Sequence, residues 1–242
     1  MTYISRLALN PRSREVQHDL ADCQSLHRTI LSGFRDVPTS EAREHFAILF
    51  RLEPTRNGEV IVLVQSQARP DWSSLRPGYL LPRPASGAVV DNPAVKEVGS
   101  VYARLTSGAA LAFRLLANPT KRLSTAPDDQ GRRPPGRRVE LQREEDQLAW
   151  LARKGKQGGF DLLAARAGRS VPDVRTVPGG KITGRRNDPH LAGLPGMLTF
   201  GAILFEGRLR VTDGDLFRTT LQRGIGSGKA YGFGLLSIAP PS

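Results

Sequence analysis

Near the C-terminus the run RGIGSGKAYGFGLLS, Arg223 to Ser237, sets glycines at 224, 226, 228, 232 and 234 around Lys229. Glycine lacks a Cβ, so such a chain can lie against another backbone or a phosphate and reaches positive φ cheaply. Successive N–H groups of a loop like this, with a lysine among them, suit a polyanion. Two standard phosphate loops do not fit. A Walker loop needs Gly, four residues, Gly-Lys and then Ser or Thr. Here Arg223 stands where the first Gly belongs, and Ala230 takes the hydroxyl position. A dinucleotide fingerprint begun at Gly224 and Gly226 would need glycine at Lys229. A second reading of the run is a turn whose glycines pack tightly on neighbouring strands. The other residue type able to do chemistry is His27, followed by Arg28. An imidazole moves protons near neutral pH, although a histidine bordering an apolar stripe is more often structural.

Composition narrows the partner. The chain has 242 residues and a formal net charge of +12, with a pI near 10.7. That excess favours nucleic acid or an acidic membrane. No apolar run approaches the roughly 20 residues of a membrane span, and no basic amphipathic helix stands out. The start, MTYISRLAL, lacks the pattern of a signal peptide. The single cysteine, Cys23, excludes an internal disulfide and a cysteine-rich zinc site. The four histidines show no metal-ligand spacing. The expectation is a cytoplasmic protein with no metal, no cofactor and no membrane partner.

The elements that must position these residues follow from periodicity. Tyr3 to Leu9 alternates as a strand. Ser13 can cap a helix, which continues over Asp19 to Phe34 with Leu20, Cys23, Leu26, Ile30 and Phe34 on one stripe. His27 and Arg28 border that stripe. Phe46–Leu52 and Glu59–Gln65 read as strands joined through Asn57-Gly58. Asp71 to Gly99 resists assignment. Leu111–Leu116 is a strand. Ser124–Arg138 carries Pro134-Pro135 and four arginines with almost nothing apolar, and reads as an exposed loop and domain boundary. Val139–Leu141 is a short strand, and Arg143 to Gly158 a helix with Leu148 and Leu151 inward. Phe160–Leu163 and Ser170–Val177 are strand candidates. Residues 178–196 are rich in Gly, Pro and Arg. Leu198–Phe205 and Leu209–Val211 read as a hairpin about Glu206-Gly207. A helix capped by Thr212 or Asp213 ends near Arg223, and Gly234–Ile238 is the last strand.

The second half thus repeats the pattern of the first, the split β-α-β order of the ferredoxin-like fold. The expected class is α+β: two tandem ferredoxin-like (RRM-like) domains, with antiparallel sheets and helices on one face. The expected domains are residues 1–125 and 139–242, with 126–138 as linker. The same layout carries many RNA-recognition modules.

Six segments together resemble one family: LALNPRSREVQHDLADCQSLHRTIL, RLEP at 51–54, FRLLANPTKRL at 113–123, AWLARK, LFEGRL at 204–209, and RGIGSGKAYGFGLLSIAP. In this order they are similar to the CRISPR repeat-RNA endoribonuclease of the type I-E Cascade complex, a RAMP-superfamily enzyme. The resemblance is weak over 78–108, 126–138 and much of 160–196. It implies two tandem ferredoxin-like domains that bind the stem-loop repeat of a precursor transcript. It implies one metal-independent cut at the base of the stem. A 2′-hydroxyl attacks the adjacent phosphate and leaves a cyclic phosphate and a 5′-hydroxyl. The enzyme then stays on the mature guide RNA beside other Cascade subunits.

The resemblance also implies residue roles. His27 matches the family's histidine within Leu-His-Arg, and Arg28 could hold the scissile phosphate. Gln24 stands where the family often has a tyrosine; glutamine can orient a phosphate or hydroxyl but cannot donate a proton in catalysis. Tyr231 is a candidate substitute. Lys229, Gly226 and Gly228 would contact RNA or brace the active-site helix, with Lys121 and Arg122 in a similar role. Arg175, Lys181, Arg185 and Arg186 would form a basic hairpin or loop beside the stem, reading shape and phosphates. The rival readings are a subunit that binds the hairpin without cutting it, and a structural RNA-binding protein of the ribosomal or tRNA type.

Overall fold

The structure, a computed structural model, describes all residues except 35–38, 56–57, 83–90, 124–137, 166–170, 187–195 and 242, and the side chains of 39–41 and Arg186. The Asn57-Gly58 turn and most of the 126–138 linker therefore lie outside the described residues.

The first sheet is built from β1 (Tyr3–Leu9), β2 (Leu49–Pro54), β3 (Val60–Ser66) and β4 (Ala94–Glu97). Its order is β2-β3-β1-β4, antiparallel throughout. This is the ferredoxin-like order. Between β1 and β2 run α1 (Arg14–Ala21), α2 (Cys23–Leu31) and α3 (Thr39–His45). Leu7, Leu9, Val62 and Val64 from the sheet bury with Leu26 and Ile30 from α2. Between β3 and β4, a 3-10 turn at Trp72–Ser74 stands in place of the second helix. Trp72 closes the core there: its indole N–H donates to Ser5 Oγ at 3.1 Å. After β4, α4 (Gly99–Ala103) leads out of the sheet.

The expected single helix over 19–34 is broken at Asp22. Its backbone is extended (φ −138°, ψ 106°), and its carboxylate accepts from the N–H groups of Gln24 and Ser25. An aspartate in this position satisfies helix-start donors better than it continues a helix. The break re-aims the stripe, and Leu20 is left exposed while Cys23, Leu26 and Ile30 bury. The expected strand at Phe46 begins only at Leu49, because Ala47 turns at φ 47°.

The second sheet is built from β5 (Ala110–Ala117), β8 (Phe160–Leu162), β9 (Val174–Arg186), β10 (Gly196–Val211) and β11 (Leu236–Ala239). The order is β11-β5-β10-β8, again ferredoxin-like, and β9 shares the outer edge of β10 with β8. Helices α5 (Glu144–Gln157) and α6 (Gly214–Arg223) supply the crossovers. Trp150, Leu151, Phe217 and Leu221 from these helices bury against Phe205 and Leu209. Asp213 caps α6 by accepting from Leu216 N–H at 3.0 Å. The short strands β6 (Thr120–Arg122) and β7 (Arg138–Glu140) pair only with each other, as a separate ribbon.

Three expectations change. The expected first domain of 1–125 overruns the sheet boundary: β5 pairs with β10 and β11, so residues from Ala110 onward belong to the second sheet. Val139–Leu141 is accordingly not that sheet's opening strand. Glu206-Gly207 is no hairpin; β10 runs straight through for 16 residues. Gly207 is there because the start of β9 pairs tightly beside it, where a Cβ would meet Asp173 and Val174. Much of the apparently irregular 178–196 is strand as well, since β9 continues to Arg186.

Alternate residues of β2 face opposite ways. Phe50 joins the helix-side core, whereas Arg51 reaches the second sheet and donates to the carbonyls of Arg114 and Leu235. Gln65 does the same from β3: its amide donates to Leu221 O at 2.7 Å and accepts from Tyr102 OH at 2.9 Å. The two halves are thus joined through buried polar side chains whose partners include the backbone carbonyls of Arg114, Leu235 and Leu221.

Candidate active site

α2 carries His27 to the place where the two halves meet. The ring is half-buried, and its edge faces the ring of Tyr231 at 6.1 Å and 67°. Burial first, and the guanidinium of Arg43 second, push the imidazole down to about 4. His27 is therefore neutral at neutral pH, the form that accepts a proton.

Tyr231 ends a 3-10 turn, Lys229–Tyr231, flanked by Gly228 at φ 74° and Gly232 at φ 88°. Only glycine takes those left-handed positions without strain, which explains the spacing read from the sequence. Gly226 and Gly228 also press on the rings of Trp150 and Phe233, leaving no room for a Cβ. The packing reading of the glycine run holds, and that packing presents Lys229 and Tyr231. Phe200 on β10 stacks on Tyr231 at 5.1 Å and meets Phe233 edge-on. Lys229 is half-buried; burial, then Arg43, Lys154 and Arg223, lower its pKa.

β9 closes the other side. The backbone N–H of Arg185 donates to Asp22 Oδ1 at 3.3 Å. Gly184 lies so close to α2 that a Cβ would stand 2.6 Å from Cys23 Sγ. Asp22 thus caps α2 and anchors β9 with one carboxylate.

The structure separates some predicted residues. Arg28, one position on from His27 and so about 100° around the helix, is exposed and donates to Ser25 Oγ at 3.2 Å. It lines a different cleft, of about 620 Å³, with His18, Arg185 and Met197. Gln24, one turn before His27, is half-buried and its N–H serves the Asp22 cap. Lys181 is exposed and ion-paired to Glu140. Arg186 lies at the outer end of β9, in register with Gly196. Arg175 is opposite Glu206, ten residues from Arg185 and so roughly 30 Å along the strand. Between Arg175 and Lys181 the register slips at Gly179-Gly180, where Gly180 has φ 76°. Such a bulge reverses the alternation of faces, so Arg175 does not extend the row of Lys181. Lys121 is exposed opposite Val139.

A larger cleft of about 770 Å³ opens on the far side of Tyr231. Arg43, Arg122, Arg138, Arg153, Lys154 and Lys229 line it together with the backbone of 224–230. Sequence reasoning missed Arg43, Arg153, Lys154 and Phe200. The sequence predicts the helix of α5 but not α3, and nothing local says that their cationic ends converge.

Two ferredoxin-like sheets, joined around a half-buried histidine, a tyrosine and a cationic cleft, define a protein of the paired-ferredoxin class suited to RNA. Comparison with known proteins takes this further. A family model described as "CRISPR associated protein" matches residues 2–240. The CRISPR-associated endoribonuclease Cse3 of Thermus thermophilus is 40% identical over 98% of this chain and 100% of its own. A solved structure of CRISPR endoribonuclease Cse3 bound to 19 nt RNA covers 99% of both chains at 37% identity, with TM-score 0.74. The CRISPR system Cascade subunit CasE of Escherichia coli is 33% identical over 65% of this chain and 70% of its own. The chain belongs to this CRISPR-associated family, of the Cse3/CasE endoribonuclease type. Among the described residues no helix is long and apolar enough to cross a membrane.

Proposed function

We propose that this chain is an endoribonuclease that binds the stem-loop repeat of precursor CRISPR RNA and cuts it once at the base of the stem. It then stays with the guide RNA as a Cascade subunit. The relatives' activity and RNA complexes support the class of reaction. The observation that carries the assignment is the facing pair His27 and Tyr231, set between strand β9 and the cationic cleft.

The chemistry needs no metal ion. Neutral His27 takes the proton of the 2′-hydroxyl, and that oxygen attacks the adjacent phosphorus. Nearby RNA phosphates raise the imidazole toward its ordinary range once substrate is bound. The developing pentacoordinate charge is stabilised by the half-buried ammonium of Lys229, whose environment is short of anions. The P–O5′ bond breaks as Tyr231 OH protonates the leaving oxygen. His27 then returns its proton to Tyr231. The products are a 2′,3′-cyclic phosphate and a 5′-hydroxyl, with no net change in the enzyme. Tyr231 thereby takes the role closed to Gln24. Arg28 and Arg185 line the neighbouring cleft and hold stem phosphates.

A binding-only subunit is the competing reading, favoured by glutamine at position 24. Single-turnover cleavage of the repeat RNA in excess EDTA, with wild type and His27→Ala in parallel, decides between them. One cut with a cyclic phosphate end by wild type alone supports the enzyme. Tight binding without a cut by either protein establishes the binding-only subunit.

A further inference from the structure

We propose that the cleft between α5, the β6–β7 ribbon and the glycine run holds unpaired RNA, namely the strand on the far side of the scissile phosphate from the stem. This rests on the function proposed above and assigns a second part of the same substrate to a surface of its own.

The cleft is built for an anion. Among the described residues six cations line it and no carboxylate does. Of the six, only Arg43 forms an ion pair among the described residues, with the exposed Glu44, which also acts weakly on Lys229. Arg122 and Arg138 are direct cross-strand neighbours. Like charges in that position repel and destabilise a two-stranded ribbon. An anion bridging them removes the penalty. The depressed pKa of Lys229, caused by burial and by Arg43, Lys154 and Arg223, reports the same unbalanced charge from the opposite wall.

The position of the cleft says which part of the RNA it takes. Tyr231 lines this cleft on one side and, on the other, the small cavity containing Lys181 and Thr183 of β9. His27 faces Tyr231 at that junction. A stem held along β9 and β10 therefore reaches its base at His27. The turn Lys229–Tyr231 stands between the two sides. A duplex is too stiff to bend around it over such a distance, whereas a single strand is not. Trp150 on the cleft floor offers no stacking platform, being covered by Gly226 and only 3% exposed. Recognition is consequently of phosphates and tolerant of base sequence.

The test uses Arg153→Gln/Lys154→Gln, which alters α5 at its surface and leaves His27, Tyr231 and β9 untouched. Binding of two repeat RNAs, both blocked by 2′-deoxy at the cut, is measured over a salt series. One ends at the scissile position and the other continues as an unpaired flank. Wild type should bind the flanked RNA more tightly. The variant should lose that advantage while keeping its affinity for the bare stem-loop, and its salt slope for the flanked RNA should fall by about 1.4, two single-strand contacts at roughly 0.7 each. Changing the flank sequence should not restore the difference. Equal weakening of both RNAs would assign the cleft to the stem and overturn the proposal, as would an unchanged advantage for the flanked RNA. If wild type binds neither RNA, the proposed function itself fails, and the flank assignment with it.

Discussion

The guanidinium of Arg51, on the first sheet, donates to the carbonyl of Leu235 at 2.9 Å across 184 residues of sequence. It also donates to Arg114 O and Ser237 Oγ and pairs with Glu53. The side chain is 2% exposed. One buried cation therefore holds three points of the second sheet, just past the turn that carries Lys229 and Tyr231. Because α2 is packed on the first sheet, Arg51 couples the placement of His27 to that of Tyr231.

Arg51→Lys keeps the charge but loses the planar fork that reaches several acceptors at once. Leaving buried carbonyls and Glu53 incompletely paired should cost about 2–4 kcal/mol. Urea denaturation should show a lower midpoint. Cleavage should fall more than RNA affinity, since the two halves of the site are no longer held in register. A variant as stable and active as wild type would remove Arg51 from this role.

His27→Ala should lose about 10²–10⁴-fold in cleavage rate with little change in binding. With His27 as the base, kcat/KM should rise with pH through about 4 and then level off, because the free enzyme's imidazole titrates there. An activity that instead falls as pH rises through this range would make His27 the acid.

The same shift bears on stability. The folded state resists protonating His27, whose pKa lies below its ordinary value. The associated stability is present above about pH 6.5 and is lost as pH falls toward 4. It amounts to at most about 1.4 kcal/mol per pH unit, reduced by solvent on the exposed side of the ring. Urea midpoints of wild type and His27→Gln should therefore converge on going from pH 7 to pH 5.

Gly184→Ala tests the contact between β9 and α2. The new methyl would stand 2.6 Å from Cys23 Sγ and 2.9 Å from Asp22 Oδ1. The backbone there is not left-handed, so the effect is purely steric. A cost of about 1–3 kcal/mol and a cleavage loss of at least tenfold are expected, read by denaturation and single-turnover kinetics.

Cys23 should be inert in the folded protein. Burial, then the carboxylate of Asp22, push its thiol up to about 11. Ellman's reagent at pH 8 should react slowly until denaturant is added. Fast reaction in the native state would contradict the packing of α2 on β9.

The sequence by itself determined the kinds of element and the kind of partner. A period-2 run marked β1, β-type and apolar runs marked β3 and β11, inward leucines marked α5, a cap marked α6, and the excess of Lys and Arg pointed to a polyanion. The spaced glycines around Lys229 stood out by residue type, because φ > 0 favours glycine, and the family resemblance pointed to Leu-His-Arg; the structure brings His27 and Tyr231 from those two stretches face to face. What only the tertiary structure decided depends on contacts distant in sequence. Ala110–Ala117 reads equally well as a strand of either sheet; its partners β10 and β11 assign it to the second. Gly207 looked like a turn because its reason, the close pairing of the start of β9, lies more than thirty residues earlier. Asp22 breaks the helix where its carboxylate can serve both the cap and Arg185. Arg28 and His27 are neighbours in sequence, yet His27 faces Tyr231 while Arg28 lines a cleft with His18 and Arg185, and Arg43, Lys154 and Phe200 come to Lys229 and Tyr231 from three separate elements. Local pattern encodes the secondary structure; the charge balance and geometry of the site are set by long-range packing, which no window of sequence contains.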